Sequence, residues 1–244
     1  MLERTDHVAI VSGANRGVGL AVARRLLDAG YRVSAGARDT DALRAALADH
    51  HVVAGEDADE RVVLHRYDAT ELGSDEAWVA ATVERFGRLD VVVNNAGILD
   101  ETPLEDLTME DIDRLVDVNV KAPLRMTQLT LPHLRAGEAG RIVNLSSLSG
   151  VRVKGTFAPG YAMTKHAVIA LGEATKQLAW DDGVRVTAVC PGFIATDMIE
   201  HLGNDPDTII SPDDLAELIA TTIALPNSAS VAQLNVACLL EPHF

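Results

Sequence analysis

Short apolar runs alternate along the chain with longer segments of helical periodicity. The strand candidates are residues 7–12, 32–37, 62–67, 91–94, 141–146, 185–190 and, near the end of the chain, 233–238. Several of these runs are almost continuously apolar, which is typical of strands covered on both faces. Helical patterns lie between them at 19–30, 40–50, 74–87, 108–136 and 160–180. Such repeated β–α units predict a parallel sheet with helices on both faces and right-handed crossovers.

The uninterrupted order of these elements predicts one domain. No linker rich in Pro, Gly or Ser and no internal repeat breaks the series. A chain of 244 residues is long enough to bury one full core. We therefore predict an α/β fold, with a single doubly wound domain over residues 1–244 built on a mostly parallel seven-stranded sheet.

The charge balance is strongly acidic, with a formal net charge of −15. A surface of this sign repels nucleic acid and anionic membranes, so neither is predicted as a partner. No apolar stretch approaches the roughly 18 residues needed to span a bilayer, and the N-terminus lacks a signal-peptide pattern, which predicts a cytoplasmic location. The cysteines and the scattered histidines show no metal-ligand spacing, so no metal site is predicted.

The first predicted strand runs directly into the segment SGANRGVGLAVA, which carries glycines at 13, 17 and 19 before a helical pattern. Glycines there permit positive φ and let backbone N–H groups approach a pyrophosphate at the N-terminus of a helix. The spacing differs from the usual Gly-x-Gly-x-x-Gly fingerprint but stands in the same strand–turn–helix context. We predict a dinucleotide-binding turn containing Gly13, Gly17 and Gly19; the alternative is a glycine-rich turn that binds nothing.

Residues near the end of the second predicted strand indicate which nicotinamide cofactor is used. A carboxylate at this place would accept hydrogen bonds from the ribose 2′-hydroxyl of NAD(H), and Ala37 supplies none. Arg38 instead offers a planar cation suited to a 2′-phosphate, and Arg16 places a second cation in the glycine turn. Asp39, one residue later, is expected to point elsewhere. These residues predict NADP(H); the alternative is that Arg38 is a surface charge after a strand.

A tyrosine and a lysine lie four residues apart in the helical segment 160–180, within the stretch GYAMTKHAV. Residues i and i+4 share one face of a helix, so Tyr161 and Lys165 can present a phenol and an ammonium to one point. A free tyrosine has a pKa of about 10, and an adjacent ammonium favours the phenolate. We predict Tyr161 as the proton donor or acceptor and Lys165 as the cation that lowers the pKa of Tyr161.

A serine near this pair is a further candidate. Ser147 follows the predicted strand 141–146, at the edge of a parallel sheet where ligands bind. Its hydroxyl can donate to a substrate carbonyl and stabilise the developing oxyanion. Ser146 and Ser149 are competing candidates on the same segment.

Asn119 is a candidate because Pro123 lies four residues later and has no backbone N–H. If the helix continues through Pro123, the Asn119 carbonyl loses its usual donor and can hold a water. Lys165 can join that water in a proton relay. The alternative is that Pro123 begins a new helical segment and Asn119 is an ordinary polar residue.

These motifs together resemble one known family. The segments SGANRGVG, NNAG (94–97) and YAMTK, with Asn119 and Ser147 between them, follow the order and spacing of the classical short-chain dehydrogenases/reductases over essentially the whole chain. The resemblance implies a Rossmann fold, and it selects Ser147 because that residue lies two before the pair Ser149-Gly150. It makes Asn119, Ser147, Tyr161 and Lys165 the implied catalytic residues.

The resemblance also implies where the cofactor lies. Asp68 matches the family's acidic residue near the adenine ring, and Thr196, in the turn CPGFIAT, matches the threonine that contacts the nicotinamide carboxamide. Residues 193–212 resemble a substrate lid; a plain loop–helix connection is the alternative. The cofactor-binding residues implied in this way are Gly13, Asn15, Arg16, Gly17, Val18, Gly19, Arg38, Asp68, Ala69, Asn95, Ala96, Gly97, Tyr161, Lys165, Pro191, Gly192, Ile194 and Thr196.

The predicted function is NADP(H)-dependent reduction of a ketone or aldehyde, or oxidation of a secondary alcohol. The substrate surface would combine Leu148, residues 150–159 and the lid, with Arg152 and Lys154 at its margin, so small or medium carbonyl compounds suit it better than highly charged ones. One alternative is a 3-oxoacyl-(acyl carrier protein) reductase, against which repulsion between two acidic proteins argues. Another is a catalytically silent NADP(H)-binding sensor or scaffold. The segments 108–136 and 160–180 resemble the family's dimer faces, which implies a homodimer or homotetramer.

Overall fold

The computed structural model describes residues 6–48, 60–137, 139–153 and 155–240. Its strands are β1 (Val8–Ser12), β2 (Arg32–Ala37), β3 (Val62–Arg66), β4 (Val91–Asn94), β5 (Arg141–Leu145), β6 (Arg185–Pro191) and β7 (Gln233–Val236). They form one sheet in the order β3-β2-β1-β4-β5-β6-β7, and every neighbouring pair is parallel. The predicted α/β fold with a seven-stranded sheet is therefore confirmed, and this sheet contains no antiparallel pair.

The helices of the described residues connect successive strands. They are α1 (Gly17–Asp28), α2 (Thr40–Ala48), α3 (Ser74–Phe86), α4 (Met109–Val116), α5 (Ala122–Ala136), α6 (Pro159–Ala179) and α7 (Pro212–Ala224). A π-helical turn, Asp117–Lys121, joins α4 to α5, so that helical backbone runs through the predicted segment 108–136. The last two residues of the predicted helix 40–50 lie outside the described residues.

Helix α7 was not predicted, although its sequence carries the signals of a helix. Ser211 caps its N-terminus by accepting from the Asp214 amide at 3.0 Å, and Pro212 occupies its first turn. Leu215 and Ile219, one turn apart, are fully buried against the same core cluster as α1. The sequence prediction assigned residues 193–212 to the lid and no element to residues 213–232, so it missed this amphipathic pattern.

The core lies in two layers because successive strand residues face opposite sides of the sheet. Val91 and Val93 of β4 belong to the cluster that packs beneath α1 and α7. Val92, between them, belongs to the opposite cluster, which contains Trp78 of α3 and Met126 of α5. Helices therefore cover both faces, as the continuous apolar strands predicted.

The order of the strands places a crevice at one end of the sheet. Chain connections from β1 lead outward to β2 on one side, whereas β4 lies on the other side of β1. Ligands of doubly wound folds bind at the carboxyl ends of the strands where this reversal occurs. The glycine turn after β1 and the segment Asn95–Gly97 after β4 both lie there.

The described residues contain neither a membrane-spanning helix nor a metal-ligand cluster. No helix in that part of the chain combines the length and apolar character required to cross a membrane. Across the same ranges, no three His, Cys, Asp or Glu side chains are grouped so that they can hold a metal ion. Cys190 is buried and Cys238 is half-buried, and both are free thiols.

Candidate active site

The turn between β1 and α1 has the geometry of a phosphate-binding loop. Gly13 and Gly17 have φ of +66° and +54°, which only glycine adopts readily. A Cβ on Gly19 would lie 2.2 Å from the Gly13 carbonyl oxygen, so the turn cannot accommodate a side chain there. Helix α1 begins at Gly17 without a side-chain cap and without an acidic residue in its first turn. Free amides and an uncompensated helix dipole fit an anionic pyrophosphate.

The second glycine-bearing segment, Asn95–Gly97, is tied to this turn by hydrogen bonds. Asn95 donates from its side-chain amide to the Ser12 carbonyl at 2.8 Å. The Ser12 hydroxyl accepts from the backbone amides of Asn95 and Ala96 at 2.9 and 3.0 Å. The Asn95 side chain and the backbone amides of Asn95 and Ala96 therefore hold the two turns together. Sequence reasoning missed Ser12, whose only signal was its place at the strand end.

The end of β2 carries the residues predicted to distinguish the two cofactors. Arg38 is exposed. Asp39, expected to point elsewhere, caps α2 by accepting from the amides of Asp41 and Ala42 at 3.0 and 2.9 Å. The pKa of Asp68 is lowered, first by the Thr70 amide that it accepts and further by the charge of Arg38. Arg38 and Asp68, which follow β2 and β3, are therefore close enough to interact.

Arg16 has a different neighbour from Arg38. Its guanidinium Nη1 lies 3.2 Å from the Asp197 carboxylate at the root of the lid. Thr196, directly before Asp197, packs on the glycine turn, since a Cβ on Gly17 would lie 3.1 Å from the Thr196 methyl group. The two arginines predicted to serve one 2′-phosphate thus interact with groups on different elements.

The structure brings Ser147 and Tyr161 together. Ser147 follows β5 and hydrogen-bonds the Tyr161 phenol, and its hydroxyl also accepts from the Ser149 amide at 3.1 Å. Ser146 is committed elsewhere, because its hydroxyl donates to the Lys165 carbonyl oxygen at 2.8 Å. Of the three serines, Ser147 is therefore the one that forms a hydrogen bond with the Tyr161 phenol.

Lys165 lies one turn along α6 on the same side as Tyr161. Its ammonium is 5.4 Å from the centre of the Tyr161 ring and donates to the Leu145 carbonyl at 2.7 Å. The side chain is buried, with 5% of the residue surface exposed. A Cβ on Gly97 would lie 3.5 Å from this nitrogen, so the ammonium reaches the crevice between β4 and β5.

The predicted effect of Lys165 on the phenol differs from what the structure shows for the protein alone. Burial raises the pKa of Tyr161 to about 12, opposed by the hydrogen bond from Ser147. Burial also lowers the pKa of Lys165 to about 8, opposed by the charge of Cys190. Removal from water disfavours every charged form, so it raises an acid's pKa and lowers a base's. Desolvation therefore outweighs the attraction on which the prediction relied.

Asn119 lies in the π-helical turn and is 2% exposed. There the Ala122 amide donates to the Asp117 carbonyl, one residue further back than in an α-helix. The backbone runs helically through Pro123 while the hydrogen-bond ladder shifts, which is the typical form of a π-bulge. The predicted loss of a donor to the Asn119 carbonyl stays a prediction.

The Asn119 side chain has partners that the sequence did not reveal. It accepts from the Ile98 amide at 2.9 Å and donates to the Ile98 carbonyl at 2.9 Å. It also donates to the Thr164 hydroxyl at 3.1 Å, and that hydroxyl donates to the Tyr161 carbonyl at 2.8 Å. Asn119 therefore links the loop after β4 to the helix that carries Tyr161. Thr164 was missed, because nothing local marks it.

The predicted lid is an excursion between β6 and α7 whose base is closed. Ile194 and Ile210 form a parallel bridge, with the Ala195 amide donating to the Ile210 carbonyl at 2.9 Å. Two short 3-10 turns, Glu200–Leu202 and Pro206–Thr208, lie between them. His201 of the first turn approaches the Glu101 carboxylate to 2.9 Å across the crevice.

A cavity of about 590 Å³ lies between the glycine turn, the loop after β4 and the lid. Charged side chains are prominent in its wall. Asp100 is almost buried and pairs with Arg114, and its pKa is lowered, first by its hydrogen bonds to Thr102. The lining residues are Arg16, Gly97, Ile98, Leu99, Asp100, Glu101, Thr102, Arg114, Met198 and His201.

The remaining predicted cofactor residues differ in their surroundings. Val18 packs into the core beneath α1. The Ala69 carbonyl accepts from Arg125 at 2.8 Å. Pro191 ends β6, and the Gly192 amide donates to the Val236 carbonyl at 2.8 Å. Asn15 is half-buried in the glycine turn. Their roles toward a cofactor remain predictions.

Comparisons with known proteins agree with this geometry. A model of the short chain dehydrogenase family matches residues 7–207. An agropine synthesis reductase from Rhizobium rhizogenes is 41% identical over 239 residues, which cover 96% of this chain and 53% of the relative. The chain thus spans about half the length of that relative.

Two solved structures share the fold over nearly their full lengths. An actinorhodin polyketide ketoreductase with NADPH is 31% identical, with a TM-score of 0.85 and coverage of 97% of both chains. A 3-ketoacyl-(acyl-carrier-protein) reductase from Brucella melitensis complexed with NADH is 26% identical, with a TM-score of 0.84 and coverage of 96% and 98%. The family match, the sheet order and the grouped motifs lead to one conclusion: this chain belongs to the short-chain dehydrogenase family.

Proposed function

We propose that this chain is an NADP(H)-dependent oxidoreductase that transfers a hydride between the nicotinamide and a carbonyl or secondary alcohol substrate. The observation that carries the proposal is the hydrogen bond between Ser147 and the Tyr161 phenol beside the buried Lys165 ammonium. A sensor or scaffold that only bound the cofactor would have no use for this arrangement. The reductase names of the relative and of both structural neighbours support the reductive direction.

Tyr161 is the proton donor in reduction. When bound, the nicotinamide supplies the hydride, and the residues of the chain orient the carbonyl and hold the proton. Ser147 donates a hydrogen bond to the carbonyl oxygen, and Tyr161 protonates that oxygen as negative charge develops on it. Because the pKa of Tyr161 is about 12 in the protein alone, the phenol holds its proton at neutral pH.

Lys165 takes part in returning a proton to Tyr161. Its pKa of about 8 lies near neutral pH, so the amine can release and regain a proton under working conditions. A Cβ on Gly97 would lie 3.3 Å from the Asn119 side-chain oxygen and 3.5 Å from the Lys165 nitrogen, so both residues flank one point, which supports the predicted water relay. The relay would return to Tyr161 the proton that the product takes.

The choice of NADP(H) is supported by the end of β2. Ala37 offers no carboxylate, and the Asp39 carboxylate is occupied in capping α2. Arg38 is exposed beside Asp68, where a 2′-phosphate on the adenosine ribose would lie. A strong preference for NADH would refute this reasoning directly.

The substrate we propose is a free small molecule that carries polar groups besides its carbonyl. Glu101, Thr102 and His201 line the cavity beside Gly97, so hydroxyl or amino groups on the substrate would find partners there. A substrate attached to an acyl carrier protein is disfavoured, because that acidic partner would meet a chain of net charge −15. Asp181 and Asp182 are exposed directly after α6 and add to that repulsion.

We also propose a homo-oligomer. Large apolar side chains are exposed on the helices predicted as dimer faces, including Met109 (72%) and Leu124 (38%) on α4 and α5. Met163 and Leu178 on α6 are 54% and 65% exposed. Uncovered apolar side chains grouped on helices are typical of subunit contacts. Sedimentation of the purified chain as a monomer would contradict this assignment.

The test is a coupled activity and binding assay. A panel of polar and aliphatic carbonyl compounds is incubated with NADPH or NADH, and cofactor oxidation is followed by absorbance. Tyr161→Phe is expected to lower kcat about 1,000-fold while NADPH binding stays within about twofold, since the lost group acts only on the reacting oxygen. Tyr67→Phe, a buried tyrosine packed on Trp78, is the matched control. Unchanged turnover in Tyr161→Phe would overturn the mechanism.

A further inference from the structure

The pair between Arg16 and Asp197 connects the glycine turn to the lid across 181 positions of sequence. The two side chains are 68% and 67% exposed, so water reaches both charges. Either partner can therefore change rotamer without breaking a buried contact. An exposed pair of this kind is weak, and a competing anion of higher charge can displace the carboxylate.

The backbone, not the ion pair, brings Asp197 to this place. The bridge between Ile194 and Ile210 closes the base of the lid, and the Thr196 methyl group packs against Gly17. Asp197 follows immediately, so its carboxylate is presented to the glycine turn by the packing of its neighbours. Its position would persist if the guanidinium moved away.

The pair also holds Arg16 on the substrate side of the crevice. Arg16 lines the cavity together with Gly97, Met198 and His201, whereas Arg38 is not among the lining residues. Arg38 acts instead on Asp68, at the adenosine side. Carboxylate and phosphate are the two anions that a guanidinium fork fits, so Arg16 can satisfy one or the other.

We propose that Asp197 is a positioning residue for cofactor selection, which holds Arg16 at the lid in competition with the 2′-phosphate of NADP(H). The inference rests on the proposed use of NADP(H). NADP(H) must draw Arg16 away from Asp197, whereas NAD(H) has no 2′-phosphate and leaves the pair intact. Asp197 therefore reduces the difference in affinity between NADP(H) and NAD(H). It also makes the position of the residues at the base of the lid depend on which cofactor is bound.

The size of the effect follows from the exposure of the pair. Exposed ion pairs are worth up to about 1 kcal/mol, which corresponds to about a fivefold change in affinity at most. We expect Asp197→Asn to strengthen binding of NADPH by about threefold and to leave NADH binding unchanged. The gain should shrink at high salt, because screening weakens the pair that was removed.

The experiment is a double-mutant cycle read by calorimetry rather than by turnover. Dissociation constants are measured for adenosine 2′,5′-bisphosphate, 5′-AMP, NADPH and NADH with the native chain, Asp197→Asn, Arg16→Gln and the double variant. Asp207→Asn is the matched control, because it removes the same charge from an exposed lid carboxylate, whereas Arg16 pairs with Asp197. The gain in Asp197→Asn should appear only for the 2′-phosphorylated ligands and should vanish in the Arg16→Gln background.

Three results would overturn the inference. Equal gains for NADH and NADPH, or an equal gain in Asp207→Asn, would mean that Asp197 acts only through general charge. Weaker NADPH binding in Asp197→Asn would mean that the pair orients Arg16 for the phosphate. No loss of 2′-phosphate binding in Arg16→Gln would remove the competition altogether. Hydride transfer measured on the same native sample distinguishes each of these from failure of the proposed enzymatic function.

Discussion

Two regions of the crevice use similar side chains under opposite conditions. In the first, which we call the catalytic corner, two polar side chains are buried and two are half-buried, and most have a protein partner. Asn119 and Lys165 are only 2% and 5% exposed, and each donates a hydrogen bond to a backbone carbonyl. Water cannot replace a lost partner of these two side chains, so deletion of either is costly. The members of the catalytic corner are Asn119, Ser147, Tyr161 and Lys165.

In the second region, which we call the lid contacts, charged side chains meet in water. The pairs Arg16–Asp197 and Glu101–His201 join the lid to the two sides of the crevice. Their side chains are between 32% and 68% exposed, so solvent and salt compensate a lost partner. We infer that the proposed chemistry depends on the catalytic corner, whereas the lid contacts adjust affinity. The following changes test that division, from the largest expected effect to the smallest.

The strongest test is the pH dependence of stability in Lys165→Met. Folded Lys165 loses its proton at about pH 8, whereas the unfolded chain keeps it up to about pH 10.5, so unfolding takes up a proton between these values. Stability of the native chain should therefore rise through this window relative to the variant, by about 3 kcal/mol in total. The raised pKa of Tyr161 affects both proteins alike and cancels in the difference.

The measurement is urea unfolding at several pH values between 7 and 10. Lys176→Met, which removes a half-buried ammonium paired with Glu173 on the same helix, is the matched control. Parallel pH profiles of the native chain and Lys165→Met would contradict the burial of this ammonium.

Ser147→Ala tests the hydrogen bond to the reacting oxygen. We expect kcat to fall about 100-fold, or about 2.7 kcal/mol of transition-state stabilisation, because one oxyanion donor is lost. Ser149→Ala removes a hydroxyl two residues away and should retain kcat. Circular dichroism checks that both variants fold, and equal loss of activity in both would contradict the assignment of Ser147.

Asn119→Ala tests the link between the loop after β4 and α6. Deleting the amide leaves the Ile98 amide and carbonyl without their side-chain partner, which should cost about 2 kcal/mol of unfolding free energy. Asn235→Ala, on the exposed edge strand β7, should lower the unfolding free energy by only a few tenths of that amount. Thermal unfolding of the two variants gives the comparison, and equal shifts would indicate that Asn119 is an ordinary polar residue.

Glu101→Gln tests the lid contacts and should have the smallest effect. Loss of the exposed contact to His201 is expected to change the substrate KM by less than about fivefold, with kcat within about twofold. Glu105→Gln, an exposed charge on the same loop, is the control. A fall in kcat comparable to that of Ser147→Ala would abolish the distinction between the two regions.

Much of the site was predictable because its signals are local. The glycines of the turn after β1 restrict the backbone where they stand, and Tyr161 and Lys165 share a helix face through their spacing alone. The absence of a donor at Pro123 similarly indicated a disturbed ladder at Asn119. Each of these inferences needs only a few neighbouring residues.

Other features could not be predicted because they depend on distant partners. Thr164 acquires its role only because Asn119 approaches it from 45 positions away. The pKa values of Tyr161 and Lys165 moved in the directions set by burial, which the sequence around them does not state. Helix α7 is the exception, because its N-terminal cap and its apolar spacing are both visible in the sequence.

The sequence by itself determined the doubly wound fold and the ordered motifs, because periodicity and backbone restriction act over a few residues. Only the tertiary structure decided which charges meet. It placed Arg16 in an ion pair with Asp197 rather than beside Arg38. It also placed the Asn119 side chain in hydrogen bonds with Ile98 and Thr164. It also withdrew Lys165 from water. The physical reason is that electrostatic interactions depend on distance and on local dielectric, and both are properties of the packed chain.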